Sequence, residues 1–178
     1  MSERIEFRLS GSGGQGIITA GIILAEAGIF DGVYALQSQS YGPEARGGSS
    51  KAEVVISKEP IDYPKATVPN YLLCLTNESF NLYGLSADQK TVVIADSSVD
   101  TSKADREIVK APILQTAHSE LKPLVANIVA LSFLVGFTGV VSRESVVAAV
   151  MGRIPKGTEA LNQKAIDAGF RLADELKK

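Results

Sequence analysis

The first segment of the chain that could bind a ligand is a glycine-rich turn, GSGGQG, at residues 11–16. Gly11, Gly13 and Gly16 have the spacing G-x-G-x-x-G and lie between an apolar segment and a segment with helical periodicity. Glycines permit a tight turn, and the following helix offers free amides and its positive dipole end to an anion. The turn therefore predicts a phosphate or pyrophosphate site. A structural interpretation, in which the glycines only allow close packing of strand and helix, stays open.

A dinucleotide site requires one further feature, an acidic residue about 20 positions on, which binds the ribose at the end of the second strand. Asp31 has roughly that spacing but precedes the second predicted strand, and residues 37–39 at the end of that strand are uncharged. Gln15 is also bulkier than a cofactor pressed against the backbone would favour. NAD and FAD are therefore not the favoured ligands.

A second candidate segment, QSQSYGPEARGGSS at 37–50, starts at the carboxyl end of the second predicted strand, beside the glycine turn. Open α/β sheets bind ligands at this edge. Arg46 can make a bidentate contact with a phosphate or a carboxylate. The alternative is an ion pair between Arg46 and Glu44 that only orders the loop.

A sheet is needed to position these two segments, and the chain alternates predicted strands and helices. We expect strands at 4–9, 33–37, 52–57, 71–76 and 91–97, a weaker strand at 106–113, and helices at 14–28, 119–137, 142–150 and 158–177. The architecture is then an α/β three-layer sandwich around a mainly parallel sheet, Rossmann-like, with C-terminal helices. We expect one domain over residues 1–178.

The helix predicted at 119–137 has apolar residues on all its faces. One stripe combines Leu121, Leu124, Ile128, Leu131 and Val135. Such a helix is buried on every side, and a partner surface is the alternative to burial in the core. For the following helix, Ser142 is the expected N-terminal cap.

Composition excludes several classes of function. A net charge of −2 argues against general nucleic-acid binding. The longest apolar run, 124–141, is interrupted by Asn127, Ser132 and Thr138, which favours a buried helix over a membrane span. The charged first ten residues show no signal peptide, so we expect a cytoplasmic location.

Cys74 and His118 are the only cysteine and the only histidine. An internal disulfide, an iron–sulfur cluster and a His-rich zinc site are therefore excluded, and we assign no catalytic residue and no metal ligand to this chain. Apolar neighbours predict a buried structural thiol for Cys74. His118 is expected on the surface, before a helix cap at Ser119, and Asp96 is expected either to contact a ligand or to cap a turn.

At this point the sequence resembles a known family, the gamma subunit of 2-oxoacid:ferredoxin oxidoreductases, which also occurs as a fused domain of pyruvate:ferredoxin oxidoreductase. The residues that carry the resemblance are GSGGQGIITAGIILAEA (11–27), QSYGPEARGGSSKAEVVIS (39–57), EPIDYP (59–64) and KPLVANIVALSFLVGFTGVVSRESVVAAV (122–150). Within the family, SYGPEARGG is most similar to the 2-oxoglutarate:ferredoxin oxidoreductase version.

The resemblance implies a role in a complex that converts a 2-oxoacid and coenzyme A (CoA) into an acyl-CoA and carbon dioxide and reduces ferredoxin. Thiamine diphosphate, magnesium and iron–sulfur clusters then belong to partner alpha and beta subunits, with a ferredoxin-like delta subunit as a further candidate partner. The chain lacks the Gly-Asp-Gly thiamine–magnesium motif. Its implied contribution is CoA binding and assembly rather than bond making.

The resemblance and the turn together define the candidate CoA-binding residues, which are Gly11, Ser12, Gly13, Gly14, Gln15, Gly16, Ser40, Tyr41 and Arg46. The turn amides would hold a phosphate with side-chain hydrogen bonds from Ser12 and Gln15. Arg46 would orient CoA or dock a neighbouring subunit. The alternatives are the same role with pyruvate, a branched-chain or an aryl 2-oxoacid and, more remotely, a stand-alone nucleotide-binding oxidoreductase or sensor.

Overall fold

The computed structural model describes residues 4–40 and 48–178, with only the backbone of Ser40. A six-stranded sheet has the order β2-β3-β1-β4-β5-β6. The strands are β1 (Arg4–Ser12), β2 (Tyr34–Ser40), β3 (Ser49–Ser57), β4 (Tyr71–Cys74), β5 (Val92–Asp96) and β6 (Val109–Ala111). β1, β4, β5 and β6 pair in parallel, whereas β3 is antiparallel to both of its neighbours. The prediction of a mainly parallel sheet is confirmed.

Helices cover the two faces of this sheet unequally. They are α1 (Ile17–Phe30), α2 (Asn77–Ser79), α3 (Ile113–Glu120), α4 (Ala126–Thr138), α5 (Arg143–Met151) and α6 (Glu159–Leu176). α2 continues as a π-helical turn, Phe80–Gly84, and a 3-10 turn, Pro123–Val125, precedes α4. Among the described residues, no helix is both long enough and apolar enough to cross a membrane.

Alternating strand residues supply two separate cores, because successive side chains in a strand point to opposite faces. On one face, Leu73 of β4 and Ile94 of β5 lie in a large cluster with α1, α4, α5 and α6. On the other face, Leu72 and Val93 pack with Phe80 of the π-helical turn in a smaller cluster. The result is the predicted α/β three-layer sandwich, with one thick and one thin helical layer.

The single helix predicted at 119–137 is wrong, because the chain forms α3, a 3-10 turn and α4 over this region. Pro123 has no backbone N–H and disfavours helical backbone at the residue before it. Accordingly, Lys122 is extended, with φ −144° and ψ 143°. Leu124 falls in the interruption and is 78% exposed instead of joining the predicted stripe.

Core burial accounts for the apolar faces of α4, since its residues from Ile128 to Val135 are all buried. α4 and α6 approach each other closely, and a Cβ on Gly169 would lie 2.5 Å from the backbone oxygen of Val129. At α5, Ser142 is the predicted cap and its side chain accepts a hydrogen bond from Ser145 N. Ser119 caps no helix, because it lies in the last turn of α3, where its hydroxyl donates to Gln115 O.

Candidate functional site

The glycine turn occupies residues 13–16, because β1 extends through Gly11 and Ser12. These two strand residues lie opposite Ser50 and Ser49 of β3. Gly14 and Gly16 have φ values of +87° and +71°, a backbone conformation that L side chains rarely adopt. Gly16 immediately precedes α1, so the turn delivers the chain directly into a helix N-terminus.

Gln15 folds back onto the turn. The side-chain Oε1 of Gln15 accepts a hydrogen bond from the backbone N–H of Ser12 at 2.8 Å. The backbone N–H of Gln15 donates to the carbonyl oxygen of Ser12 at 3.3 Å. A Cβ on Gly11 would collide with this same Oε1, so the glycine makes room for the side chain. The predicted contact of Gln15 with a phosphate stays a prediction, and the observed role of its oxygen is to hold the turn.

Several backbone amides of the turn have no acceptor in the described part of the chain. Gly13 N donates to Gly48 O at 3.4 Å, but the N–H groups of Gly14, Gly16 and Ile17 have no acceptor among residues 4–40 and 48–178. The first amides of a helix lack partners within it and lie at its positive end. This arrangement suits an anion such as a phosphate.

The side chain of Asn127, in α4, contacts the glycine turn at Gly16. Its Nδ2 donates to Gly16 O at 3.4 Å, and a Cβ on Gly16 would lie 2.6 Å from that nitrogen. Sequence reasoning treated Asn127 only as an interruption of an apolar run. The signal in the sequence is a polar residue inside an apolar run. The neighbouring residues do not reveal its partner, Gly16, which lies 111 positions earlier in the chain.

A groove extends from the glycine turn along the carboxyl edge of the sheet. One hollow of about 640 Å³ is lined by Gly14, Gln15, Leu114, His118, Pro123, Leu124 and Ala126. The adjoining hollow of about 460 Å³ is lined by Asp96, Ser97, Ser98, Leu114, Gln115 and His118. We call the two together the carboxyl-edge groove, because the parallel strands β1 and β5 both end there.

His118 lies in the middle of the carboxyl-edge groove, since it lines both hollows. It belongs to the last turn of α3 and is exposed, so its predicted surface position is confirmed. Its position beside the candidate site was missed. Sequence periodicity did not reveal α3 as a separate helix, and only that helix directs residue 118 toward the turn after β1.

Asp96 is buried, and both of its carboxylate oxygens are engaged. Oδ1 accepts from Ser98 N at 2.9 Å and from the Ser98 hydroxyl at 2.6 Å, while Oδ2 accepts from Leu114 N at 2.8 Å. The carboxylate therefore caps the turn after β5 and fixes the start of α3. Of the two roles that the sequence left open for Asp96, the capping role is the one observed.

The buried structural thiol predicted for Cys74 is confirmed. The residue is fully buried in β4, and its sulfur accepts a hydrogen bond from the Ser10 hydroxyl at 3.5 Å. Burial raises the pKa of the Cys74 thiol to about 11, so it is a thiol rather than a thiolate near neutral pH.

Asp31 lies at the opposite end of α1 from the glycine turn, about 20 Å away along a helix of 14 residues. It accepts hydrogen bonds from Ser142 N, the Ser142 hydroxyl and the Ser145 hydroxyl at 2.5–2.6 Å. Burial raises the pKa of Asp31, but these hydrogen bonds outweigh it and the net pKa is lowered. The carboxylate joins α1 to α5 and is too distant to bind a ribose at the turn.

The second candidate segment meets the glycine turn at the residues that are described. Ser40 ends β2 opposite Lys51, and Ser49 starts β3 opposite Ser12. Tyr41 and Arg46 lie outside the described residues, as does the side chain of Ser40. The proximity of the two segments is thus established, while the contacts predicted for these three side chains stay predictions.

The fold and the candidate site place the chain among α/β proteins with an open, mostly parallel sheet. A glycine turn and a groove lie at the carboxyl edge of this sheet. The family model for pyruvate ferredoxin/flavodoxin oxidoreductase matches residues 6–172, and the chain belongs to this family. The resemblance drawn from the sequence motifs is therefore confirmed, and the chain is of the kind that serves as a subunit of an oxidoreductase.

One similar relative is 2-oxoglutarate synthase subunit KorC of Methanocaldococcus jannaschii, which is 48% identical over 97% of this chain and 96% of its own length. A similar solved structure is the gamma subunit of a keto/oxoacid ferredoxin oxidoreductase from Geobacter sulfurreducens, with 44% identity, a TM-score of 0.86 and 97% coverage of both chains.

A third similar protein is 2-oxoglutarate:ferredoxin oxidoreductase of Magnetococcus marinus, whose structure holds 2-oxoglutarate, coenzyme A and succinyl-CoA. The likeness covers 98% of this chain and 32% of that chain, with a TM-score of 0.87 and 21% identity. At this identity the likeness supports the fold alone.

Proposed function

We propose that this chain is the gamma subunit of a thiamine-diphosphate-dependent 2-oxoglutarate:ferredoxin oxidoreductase and helps to bind CoA. The complex would convert 2-oxoglutarate, CoA and oxidised ferredoxin into succinyl-CoA, carbon dioxide and reduced ferredoxin. The identity of 48% with a 2-oxoglutarate synthase subunit over nearly the full length supports this substrate. The proposal retains the cytoplasmic location that the sequence predicts.

The observation that carries the CoA proposal is the set of unpaired amides at the glycine turn. CoA has a pyrophosphate and a ribose 3′-phosphate, and the N–H groups of Gly14, Gly16 and Ile17 have no acceptor in the described residues. The helix dipole of α1 favours negative charge at the same point. Because the ribose of CoA carries this 3′-phosphate, it has no free pair of hydroxyls for an acidic residue to bind. The position of Asp31 at the far end of α1, away from the turn, is consistent with this.

The chain's own residues would bind and orient CoA, and the bond-making chemistry would come from partner subunits. Thiamine diphosphate serves in such reactions as the electron sink for decarboxylation, and iron–sulfur clusters carry single electrons. Here the glycine turn would hold a phosphate, Asn127 would fix the turn, and Arg46 with Ser40 and Tyr41 would orient CoA from the adjacent loop. His118 would add a polar contact in the carboxyl-edge groove.

The first experiment is anaerobic affinity purification of this chain from its host, followed by mass and cofactor analysis. We expect larger alpha and beta subunits with thiamine diphosphate and iron–sulfur absorbance. Recovery of the chain without such partners would contradict the proposal and would favour a stand-alone nucleotide-binding protein. Activity of the purified complex with a panel of 2-oxoacids then separates 2-oxoglutarate from pyruvate, branched-chain and aryl substrates.

The second experiment measures the KM for CoA in the intact complex with Arg46→Ala. We expect a rise of about tenfold, the scale of one lost charge-assisted contact, with an unchanged KM for the 2-oxoacid. Decarboxylation in the absence of CoA should survive. Arg143→Ala is the matched control, because Arg143 of α5 forms a surface ion pair with Asp167 of α6.

An unchanged KM for CoA in an assembled Arg46→Ala complex would contradict the CoA contact. Loss of assembly would instead assign Arg46 to a subunit interface. His118→Ala tests the groove in the same assay. We expect this variant to assemble fully and to have a higher KM for CoA. An unchanged KM would mean that CoA does not contact His118 in the carboxyl-edge groove.

A further inference from the structure

A third hollow lies between the N-terminal ends of three helices, and its volume is about 200 Å³. Its lining includes Thr19, Ile23, Asn127, Ile128, Ile154 and Leu161. Thr19, Ile128 and Leu161 are each the third residue of their helix, so we call this cavity the α1–α4–α6 hollow. Its volume is below the range of about 300–1,000 Å³ that is typical for drug-sized ligands. The hollow therefore suits one ring system rather than a whole cofactor.

The walls of the α1–α4–α6 hollow are mainly apolar, with a few polar atoms. Ile23 and Ile128 belong to the main core, and Ile154 and Leu161 pack against that core while partly exposed. The Asn127 Oδ1 atom and the Thr19 hydroxyl, which also line the hollow, form no hydrogen bond with the described residues. Apolar walls with a few polar groups that fix orientation are typical of small-molecule sites.

Asn127 connects the α1–α4–α6 hollow to the glycine turn. It lines the hollow, and its Nδ2 donates to Gly16 O. Along α1, Thr19 follows Gly16 by three residues and precedes Ile23 by four, so the three residues share one side of the helix. The hollow therefore begins about 4.5 Å along the helix axis from the turn, within one helical turn of the amides at which we propose that a phosphate binds.

Leu124 separates the α1–α4–α6 hollow from the carboxyl-edge groove, since it lines both. Gly14 and Gln15 of the glycine turn line the groove, and Asn127 joins the same turn to the hollow. The order across this part of the molecule is therefore hollow, turn and groove. Leu124 itself is 78% exposed, which is unusual for an apolar side chain between two cavities.

We propose that the α1–α4–α6 hollow binds the adenine ring of CoA, an inference that rests on the proposed function. CoA has adenine at one end, a pyrophosphate between, and a pantetheine arm at the other end, and this order matches the order of hollow, turn and groove. The adenine amino group donates to Asn127 Oδ1, and a ring nitrogen accepts from the Thr19 hydroxyl. The pantetheine arm follows the carboxyl-edge groove, and the ligand covers Leu124 between the two cavities.

An apolar side chain of a partner subunit is the alternative occupant, and the polar atoms of the hollow argue against it. Such a side chain would remove Asn127 Oδ1 and the Thr19 hydroxyl from water without offering either of them a hydrogen bond, which costs free energy. The edge of an adenine ring offers both donors and acceptors, and its faces suit the apolar walls. Adenine therefore matches both kinds of lining residue.

The test uses two substitutions that fill the hollow from different walls, Thr19→Trp in α1 and Leu161→Trp in α6. In the complex purified from the host, each should raise the KM for CoA at least about tenfold, because the burial of the adenine ring is lost. The KM for the 2-oxoacid should not change. The inhibition constant of pantetheine against CoA should also stay unchanged, since pantetheine has no adenine. Leu82→Trp is the matched control, because Leu82 is 48% exposed in the π-helical turn on the other face of the sheet.

A second measurement requires no substitution and covers the case in which the tryptophan variants do not fold. The wild-type complex is labelled by light with 8-azido-CoA, whose reactive azide is on the adenine ring. We expect the label in peptides that contain residues 19–23, 124–128 or 153–162, and an excess of CoA should prevent it. A label confined to other peptides of this chain or to a larger subunit would overturn the proposal.

The two proposals about CoA can fail separately. An unchanged KM for CoA in both tryptophan variants would overturn the adenine site, while a raised KM in Arg46→Ala or His118→Ala would still support the proposed function. Unchanged values in all four variants would contradict the proposed function itself. Loss of assembly in both tryptophan variants, with the azide label elsewhere, would assign the α1–α4–α6 hollow to a side chain of a partner subunit.

Discussion

The two ends of α1 differ in how completely their polar groups are paired. At the C-terminal end, Asp31 accepts three hydrogen bonds from Ser142 and Ser145, and these bonds join two helices. At the N-terminal end, the amides of Gly14, Gly16 and Ile17 have no acceptor among the described residues. The paired end is therefore structural, whereas the unpaired end is the one at which we propose that a phosphate binds.

Both ends use a left-handed glycine for a tight change of direction, but the space around the two glycines differs. The N-terminal turn places Gly16 in the left-handed region against Asn127, which leaves no space for a side chain. At the C-terminal turn, Gly32 is also left-handed, but a Cβ there would meet nothing within 4 Å. The N-terminal turn is therefore the more constrained of the two.

The largest expected effect follows from Gly16→Ala. The left-handed φ and the overlap with Asn127 should together lower the free energy of unfolding by about 2–4 kcal/mol. Gly13→Ala is the matched control, because Gly13 has an ordinary φ and nothing within 4 Å of a new Cβ. Chemical denaturation of the two variants measures the difference. Equal losses would show that Asn127 does not constrain the turn.

Much of this arrangement could be predicted from the sequence where the signal is local. The apolar strands and the glycine turn are predicted because alternation in the first strand, short apolar runs in the later strands and glycine spacing all arise within about ten residues. The interruption at Pro123 is not predicted, since the apolar periodicity continues across it. The helical turns over 77–84 were likewise not predicted, and they form a cap over the smaller core.

The remaining features of the site depend on distant parts of the chain. β3 inserts between β1 and β2 in antiparallel orientation, and no local pattern gives that order. Asn127 and His118 reach the candidate site only through the packing of α3 and α4 against the carboxyl edge. Such contacts cannot be read from one sequence.

The next effect in size concerns the paired end of α1. Asp31→Asn keeps the shape but places an amide against hydroxyl and backbone donors, so the free energy of unfolding should fall by about 1–3 kcal/mol. The KM for CoA in the assembled complex should not change. Asp167→Asn is the control, since Asp167 is half-exposed and should matter by less than about 1 kcal/mol. A change in the KM for CoA would contradict the separation of the two ends.

Acid should remove the contribution of Asp31. Its pKa is lowered in the folded chain, because hydrogen bonds outweigh burial. A carboxyl whose folded pKa lies below its unfolded value of about 3.9 stabilises the fold above that value, and the stabilisation is lost as pH falls through the folded pKa. The unfolding free energies of the wild type and Asp31→Asn, measured against pH, should therefore converge below about pH 4. Curves that stay parallel into acid would assign the effect to shape rather than to charge.

The smallest effect on stability is expected for substitutions of Gln15, at the N-terminal end of α1. Gln15→Leu removes the acceptor for Ser12 N and should cost about 0.5–1.5 kcal/mol. Gln15→Glu keeps an acceptor oxygen at this position, so its stability should stay close to that of the wild type. The added negative charge lies beside the candidate phosphate position and should raise the KM for CoA about tenfold, equivalent to about 1.4 kcal/mol.

These two variants of Gln15 distinguish its role in stabilising the turn from the binding of a CoA phosphate at the turn. If the turn binds a phosphate, Gln15→Glu loses CoA affinity without losing stability, and high salt reduces the loss because it screens the added charge. Gln15→Leu should show the reverse order, with stability affected more than affinity. An unchanged KM for CoA in Gln15→Glu would mean that the unpaired amides do not face the CoA phosphates, and the glycine turn would then serve only to pack β1 against α1.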